Sequence, residues 1–136
     1  MQTTFEFRTD GPGLTDITAG IAAWIPPGAE GLLTLFIRHT SCSLLIQENA
    51  DPDVQRDLLA WLGRFIPPSD DPAMSYLRHT AEGPDDMPAH LKAAVLPVSL
   101  QIPVQSGRMR LGTWQSVYLF EHRTRPRSRE VAAHLA

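Results

Sequence analysis

Cysteine occurs once in the 136 residues, at Cys42, which excludes an intrachain disulfide. Basic residues are in deficit: 12 Lys and Arg stand against 15 Asp and Glu, a formal net charge of -3. A field of that sign disfavours nucleic acid or a membrane surface as partner. No apolar run approaches the roughly 20 residues of a membrane span. The N-terminal MQTTFEFRTDGPG has no basic stretch leading into an apolar core, so it does not read as a signal peptide, and a cytoplasmic protein is expected. Neither G-x-G-x-x-G nor G-x-x-x-x-G-K-[ST] is present, so no nucleotide cofactor is expected. There is no internal repeat and no low-complexity tract.

What is there reads as a globular chain. Hydrophobic residues make up 43% and charged residues 20%, close to the average for such domains, and the length suits one domain over residues 1–136. Pro and Gly cut the chain into short elements. TTFEFRT alternates as a strand does. In LTDITAGIAAWIPPG, Ile17, Ile21, Trp24 and Ile25 fall on one helical face. GLLTLFIRH and CSLLIQE read as two buried strands close enough to pair as a hairpin. Pro52 opens the clearest helix, with Val54, Leu58, Trp61, Leu62 and Phe65 as its apolar stripe and Asp51 and Asp53 beside its positive end. SDDPAMSYLRHTAEGPDDMP has no period and reads as a long loop, and DMPAHLKAAVL as a short helix. SLQIPV, RMRL, SVYLFEH and REVAAHL close the chain as strands. Grouped strands favour α+β, with antiparallel or mixed sheets and about three helices.

Reactive side chains gather in a few stretches. HTAEGPDDMPAH offers His79, Glu82, Asp85, Asp86 and His90, and Asp86 and His90 are four apart on one helical face. Two imidazoles and a carboxylate suit a divalent metal; the competing reading is an acidic loop in which Asp85 or Asp86 caps the helix. His39, at the end of a buried strand, offers a third ligand or a general base, against the alternative of a histidine bonded to backbone groups. Cys42 close to His39 raises a Cys–His nucleophile, against a small buried hydrophobe. Glu48 and Asn49 precede the Pro52 helix; Glu48 can reach a metal-bound water or a substrate, while Asn49 or Asp51 can cap. Thr113 and Gln115, two apart, point the same way and can hydrogen-bond a substrate. Arg123, Arg125, Arg127 and Arg129 make a phosphate-sized cluster, or else a solvated turn whose charges protect a sheet edge.

Three blocks, HTSCSLLIQENADPDV, EGPDDMPAHLKA and GRMRLGTWQSVYLFEHR, resemble the signature blocks of the YjbQ-like family, often labelled secondary thiamine-phosphate synthase. The resemblance runs from about Gly31 to Val131. It implies an α+β fold with a small β-sandwich, and a homotrimer. It carries a polar pocket onto His39, Ser41, Glu48, Asn49, His79, Asp86, His90, Thr113 and Gln115. Many relatives have an Asn where this chain reads Pro84-Asp85.

The resemblance sets the expected roles. His39, His79 and His90 are metal ligands, for Zn, Mg or Mn. His39, Glu48, Asp86 and His90 are the catalytic groups. Ser41, Asn49, Thr113 and Gln115 hold a small-molecule substrate. Dedicated thiamine-phosphate synthases are (β/α)₈ barrels of about 250 residues, and this chain is too short for that architecture. Any such activity here is expected to be secondary. The other readings are metal-assisted hydrolysis of a small substrate and a non-catalytic trimer that binds a metabolite or metal.

Overall fold

A computed structural model describes residues Met1–Ala136. The elements run β1 (Gln2–Thr9), β2 (Gly13–Asp16), α1 (Thr18–Trp24), β3 (Gly31–Ile37), β4 (Cys42–Glu48) and α2 (Pro52–Phe65). A 3-10 turn (Pro72–Met74) and α3 (Asp86–Val95) follow, then β5 (Ser99–Gln105), β6 (Arg108–Met109), β7 (Gln115–Glu121) and β8 (Arg127–Leu135). A five-stranded sheet, β1-β8-β3-β5-β6, faces a three-stranded one, β2-β7-β4, and every pairing is antiparallel. The expected α+β sandwich with three helices is therefore present.

Period-two patterning decides which face of each strand goes inward. On β3, Leu33, Leu35 and Ile37 enter the core between the sheets, where they meet Leu44 of β4 and Val117 and Leu119 of β7. Each fully buried Leu or Ile contributes roughly 1.5–3 kcal/mol by leaving water. β7 is buried on both faces. Its Phe120 joins Leu62 and Ile66 from the α2 end and Met74 in a second, smaller cluster. Ser106 and Gly107 turn β5 into β6 with φ of 51° and 78°. A Cβ at Gly107 would lie 2.9 Å from the carbonyl oxygen of Pro26, so only glycine fits there.

Three local expectations need correction. β3 and β4 do not form a hairpin: β3 has β8 on one edge and β5 on the other, leaving no edge for β4, which joins β7 in the opposite sheet. The link before β5 fastens to both, since Ile37 N donates to Val98 O and Leu44 N to Pro97 O. Second, the stretch from Leu14 begins as β2, an edge strand on β7, and becomes helical only at Thr18. Third, the α2 stripe splits. Leu62 is buried, but Trp61 and Phe65 stack on each other in solvent, ring centroids 5.4 Å apart.

A buried polar clamp ties the sheets near the start of β4. Glu121 on β7 accepts from Arg129 Nε and Nη2 of β8, from Thr9 Oγ1 of β1, and from the backbone N–H groups of His122 and Arg123. Burial alone would push its carboxyl up; Arg129, Thr9 and the Arg123 N–H outweigh that and hold it below the usual glutamate value. Beside it, His122 Nε2 is 2.8 Å from Ser43 Oγ. Burial first, then the Lys92 cation, pushes this imidazole down to about 3. Between the ordinary value of 6.5 and about 3, the unfolded chain thus binds a proton that the folded chain refuses. Stability contributed by neutral His122 is full above that window and is lost as pH falls through it. Urea unfolding of wild type and His122→Gln across this range is expected to show a shallower acid decline in the variant. The difference approaches about 1.4 kcal/mol per pH unit where one proton separates the states. Identical slopes would remove His122 as the cause.

Candidate functional site

The site forms where the long loop enters α3. Asp86 is the first residue of α3, and His90 lies one turn further along the same face. His79 comes from the loop, which turns back through Gly83 at φ 104°; a Cβ there would meet Asp85 Oδ1 at 3.0 Å. Asp86 is only 3% exposed. Its Oδ2 accepts from His79 Nε2 at 2.6 Å and lies 3.4 Å from His90 Nε2. Its Oδ1 accepts from Arg123 Nη1 at 2.6 Å, from the turn after β7. Glu82 Oε2 stands 3.1 Å from His79 Nε2. Asp85 stands at the N-cap of α3, but its side chain makes no cap hydrogen bond; its Oδ2 accepts from Arg123 Nε and from both the backbone and hydroxyl of Thr124.

Electrostatics follow from these contacts. Burial works against charge on Asp86, but the hydrogen bond from His79 and the Arg123 guanidinium hold its carboxyl below the usual aspartate value. Asp85 is likewise held down to about 2, with Arg123 and the Thr124 N–H outweighing burial. The Asp86 hydrogen bond, with further help from Glu82, raises His79 above its ordinary 6.5. The His79–Asp86 ion pair is therefore complete below that value and is lost as pH rises through the raised one. NMR titration is expected to place the His79 midpoint above 6.5 in wild type and lower in Asp86→Asn. A wild-type midpoint at or below 6.5 would contradict the pairing.

One ligand atom each from His79, Asp86 and His90 lies within 4.8 Å of the others. Two imidazoles and one carboxylate fit a divalent metal of the zinc or manganese kind. Arg123 already fixes the carboxylate, as the outer contacts of metal ligands commonly do.

The other expected residues divide into two groups. His39 lies outside the three-residue cluster, its Nε2 accepting from the Glu130 N–H at 2.7 Å. Burial, then Arg129, lowers it, so it stands as a neutral imidazole. It nevertheless shares a cleft of about 380 Å³ with His90, walled by Phe36, Thr40, Ala94 and Val98. Ser41 is buried and accepts from Arg129 at Oγ. Cys42 is fully buried and its thiol is pushed up to about 12 by burial, which leaves it a small hydrophobe rather than a nucleophile. The second group sits at the far end of sheet β2-β7-β4. Glu48 accepts from Asp51 N, Asn49 Nδ2 donates to Ser116 Oγ, and Gln115 Oε1 accepts from Gly112 N, while Thr113 is exposed. Six residue steps of β4, about 20 Å at strand pitch, separate Glu48 from Cys42 at the near end. The structure does not bring these four to the imidazoles.

Arg123, which holds Asp86, is the contact of the cluster that the sequence reading places only in a basic group. The signal for it was an acidic-then-basic ending, Glu121-His122-Arg123, on an otherwise apolar strand.

Comparison with known proteins agrees with this picture. The family model "UPF0047 protein YjbQ-like" matches residues 3–136. UPF0047 protein sll1880 of Synechocystis sp. is 46% identical over 130 residues, covering 94% of this chain and 86% of its own length. UPF0047 protein YjbQ of Salmonella typhimurium is 43% identical over 122 residues, covering 90% and 85%. Among solved structures, the conserved hypothetical protein TT1486 from Thermus thermophilus superposes with a TM-score of 0.85 at 37% identity, covering 98% of this chain and 99% of that one.

Proposed function

The chain belongs to the YjbQ-like UPF0047 family, and from that footing we propose a metal-assisted, acid–base enzyme acting on a small molecule. The observation that carries it is the buried Asp86 joined to two imidazoles and one guanidinium at the edge of a cleft. His79, Asp86 and His90 hold the metal, which when bound supplies Lewis acidity toward an oxygen of the substrate. Arg123 holds Asp86 in register. His39 is neutral and faces the same cleft as His90; its Nε2 lone pair is taken by the Glu130 N–H, so Nδ1 carries the ring proton and is the atom placed to donate a hydrogen bond to a molecule lying there.

The family resemblance adds a reaction, joining two halves of thiamine phosphate with loss of pyrophosphate, as a secondary activity. It also adds a homotrimer. Exposed Phe36, Trp61 and Phe65 support that assembly as apolar surface that subunit contacts would cover. No helix is long and apolar enough to cross a membrane.

The test is metal binding by the purified protein, read by elemental analysis and by competition with a chromophoric chelator. A metabolite screen by thermal shift, with and without divalent ions, follows. Wild type is expected to retain a metal that His79→Ala and His90→Ala lose while staying folded. Full retention in both variants would end the proposal. Metal binding without turnover of any ligand found in the screen would leave a binding protein instead.

A further inference from the structure

The four arginines of the turn after β7 and the start of β8 have separate fates. Arg123 donates from all three guanidinium nitrogens, to Asp85, Asp86 and the carbonyl of Glu82. Arg129 is consumed by Glu121 and Ser41. Arg125 and Arg127 have no carboxylate within salt-bridge reach and no side-chain hydrogen bond. The Nε of Arg127 is buried without a partner.

Both line a cleft of about 280 Å³ whose walls also include Glu82, Pro84, Asp85, Arg123 and Thr124. A cleft of this volume holds more than a single water and can admit a phosphoryl group. The two wall carboxylates are already engaged. Asp85 is neutralised by Arg123, and Glu82 is beside His79. The lining thus carries three guanidiniums against two carboxylates, and Arg125 and Arg127 are the two not paired with a carboxylate; their planar forks match phosphate oxygens.

We propose that Arg125 and Arg127 form an oxyanion site for a phosphate group, behind the Arg123–Asp85 wall of the His79–Asp86–His90 cluster. The site does not depend on the metal reading, since none of the three metal-binding residues contributes to it. Arg123 and Asp85 are common to both, so an occupied oxyanion site lies next to the catalytic cluster.

Isothermal titration with inorganic phosphate, pyrophosphate and glycerol phosphate, each matched in ionic strength with chloride, tests it. Wild type is expected to bind at least one of the three above the chloride control. Arg125→Ala and Arg127→Ala are expected to weaken binding by about tenfold or more each. Arg125 is exposed, so its variant reports on binding even if Arg127→Ala misfolds. The titrations use protein stripped of metal with chelator, so phosphate held through a metal is not counted and this result stays apart from the fate of the metal proposal. Tighter binding of the ester than of free phosphate would identify an organic phosphate, and the reverse the free ion. No binding above chloride, or equal binding by Arg125→Ala and wild type, would overturn the site.

Discussion

Replacing Glu121 with Ala is expected to cost about 3–5 kcal/mol of folding stability, read by urea unfolding at neutral pH. The carboxylate is 1% exposed and serves two strands of the large sheet from one strand of the small one. Removing it leaves the Arg129 guanidinium, 4% exposed, without its counter-charge, and leaves the Thr9 hydroxyl and two backbone N–H groups short of an acceptor. The loss is a large part of the roughly 5–15 kcal/mol that holds a domain of this kind together. The pair itself is not a large net gain, because both charges had to leave water. A double replacement, Glu121→Leu with Arg129→Met, is therefore expected to recover most of the stability that Glu121→Ala loses. A single-variant cost below about 1 kcal/mol would show that water reaches the clamp and that the charges are not truly desolvated.

The second large effect is on the proposed metal site. His90→Ala would remove one of its three proposed ligands, and Asp86→Asn the only negative charge among them. Loss of an outer contact to a metal ligand commonly costs about 10–100-fold in affinity, so loss of a ligand is expected to exceed about 100-fold. Chelator competition at about pH 7.5, where Asp86 is ionised, reads this directly. Bound metal must displace the proton that Asp86 helps His79 to keep, so wild-type affinity is also expected to fall as pH drops below the raised His79 value. Asp86→Asn carries a second penalty, since Arg123 Nη1 loses its charged partner. Circular dichroism of the same samples separates misfolding from lost binding.

Element types were legible wherever burial follows a strict period. The apolar face Ile17, Ile21 and Ile25 marks α1, and alternation marks β1 and β8, because one side of each meets the core. Strand partners were not legible. GLLTLFI and CSLLIQE sit close in sequence, but pairing depends on which edges distant segments occupy, and β5 and β8 arrive about sixty and ninety residues later in the chain. The site shows the same division. Asp86 and His90 share a face through helix geometry alone, so four-residue spacing found them. Arg123 completes the cluster from 37 positions away, and locally only its charge at the end of an apolar strand hints at it. Glu48, Asn49, Thr113 and Gln115 do come together, through the register that sets Glu48 opposite Gln115, at the end of the strands away from the imidazoles.

That separation has a use of its own. A rigid seven-residue strand stands between the imidazoles and the Glu48 cluster, and the two ends have no hydrogen-bond partner in common. Free-energy changes made at one end should simply sum with those made at the other. The molecule can thus be retuned at either pole while the opposite pole stays as it was.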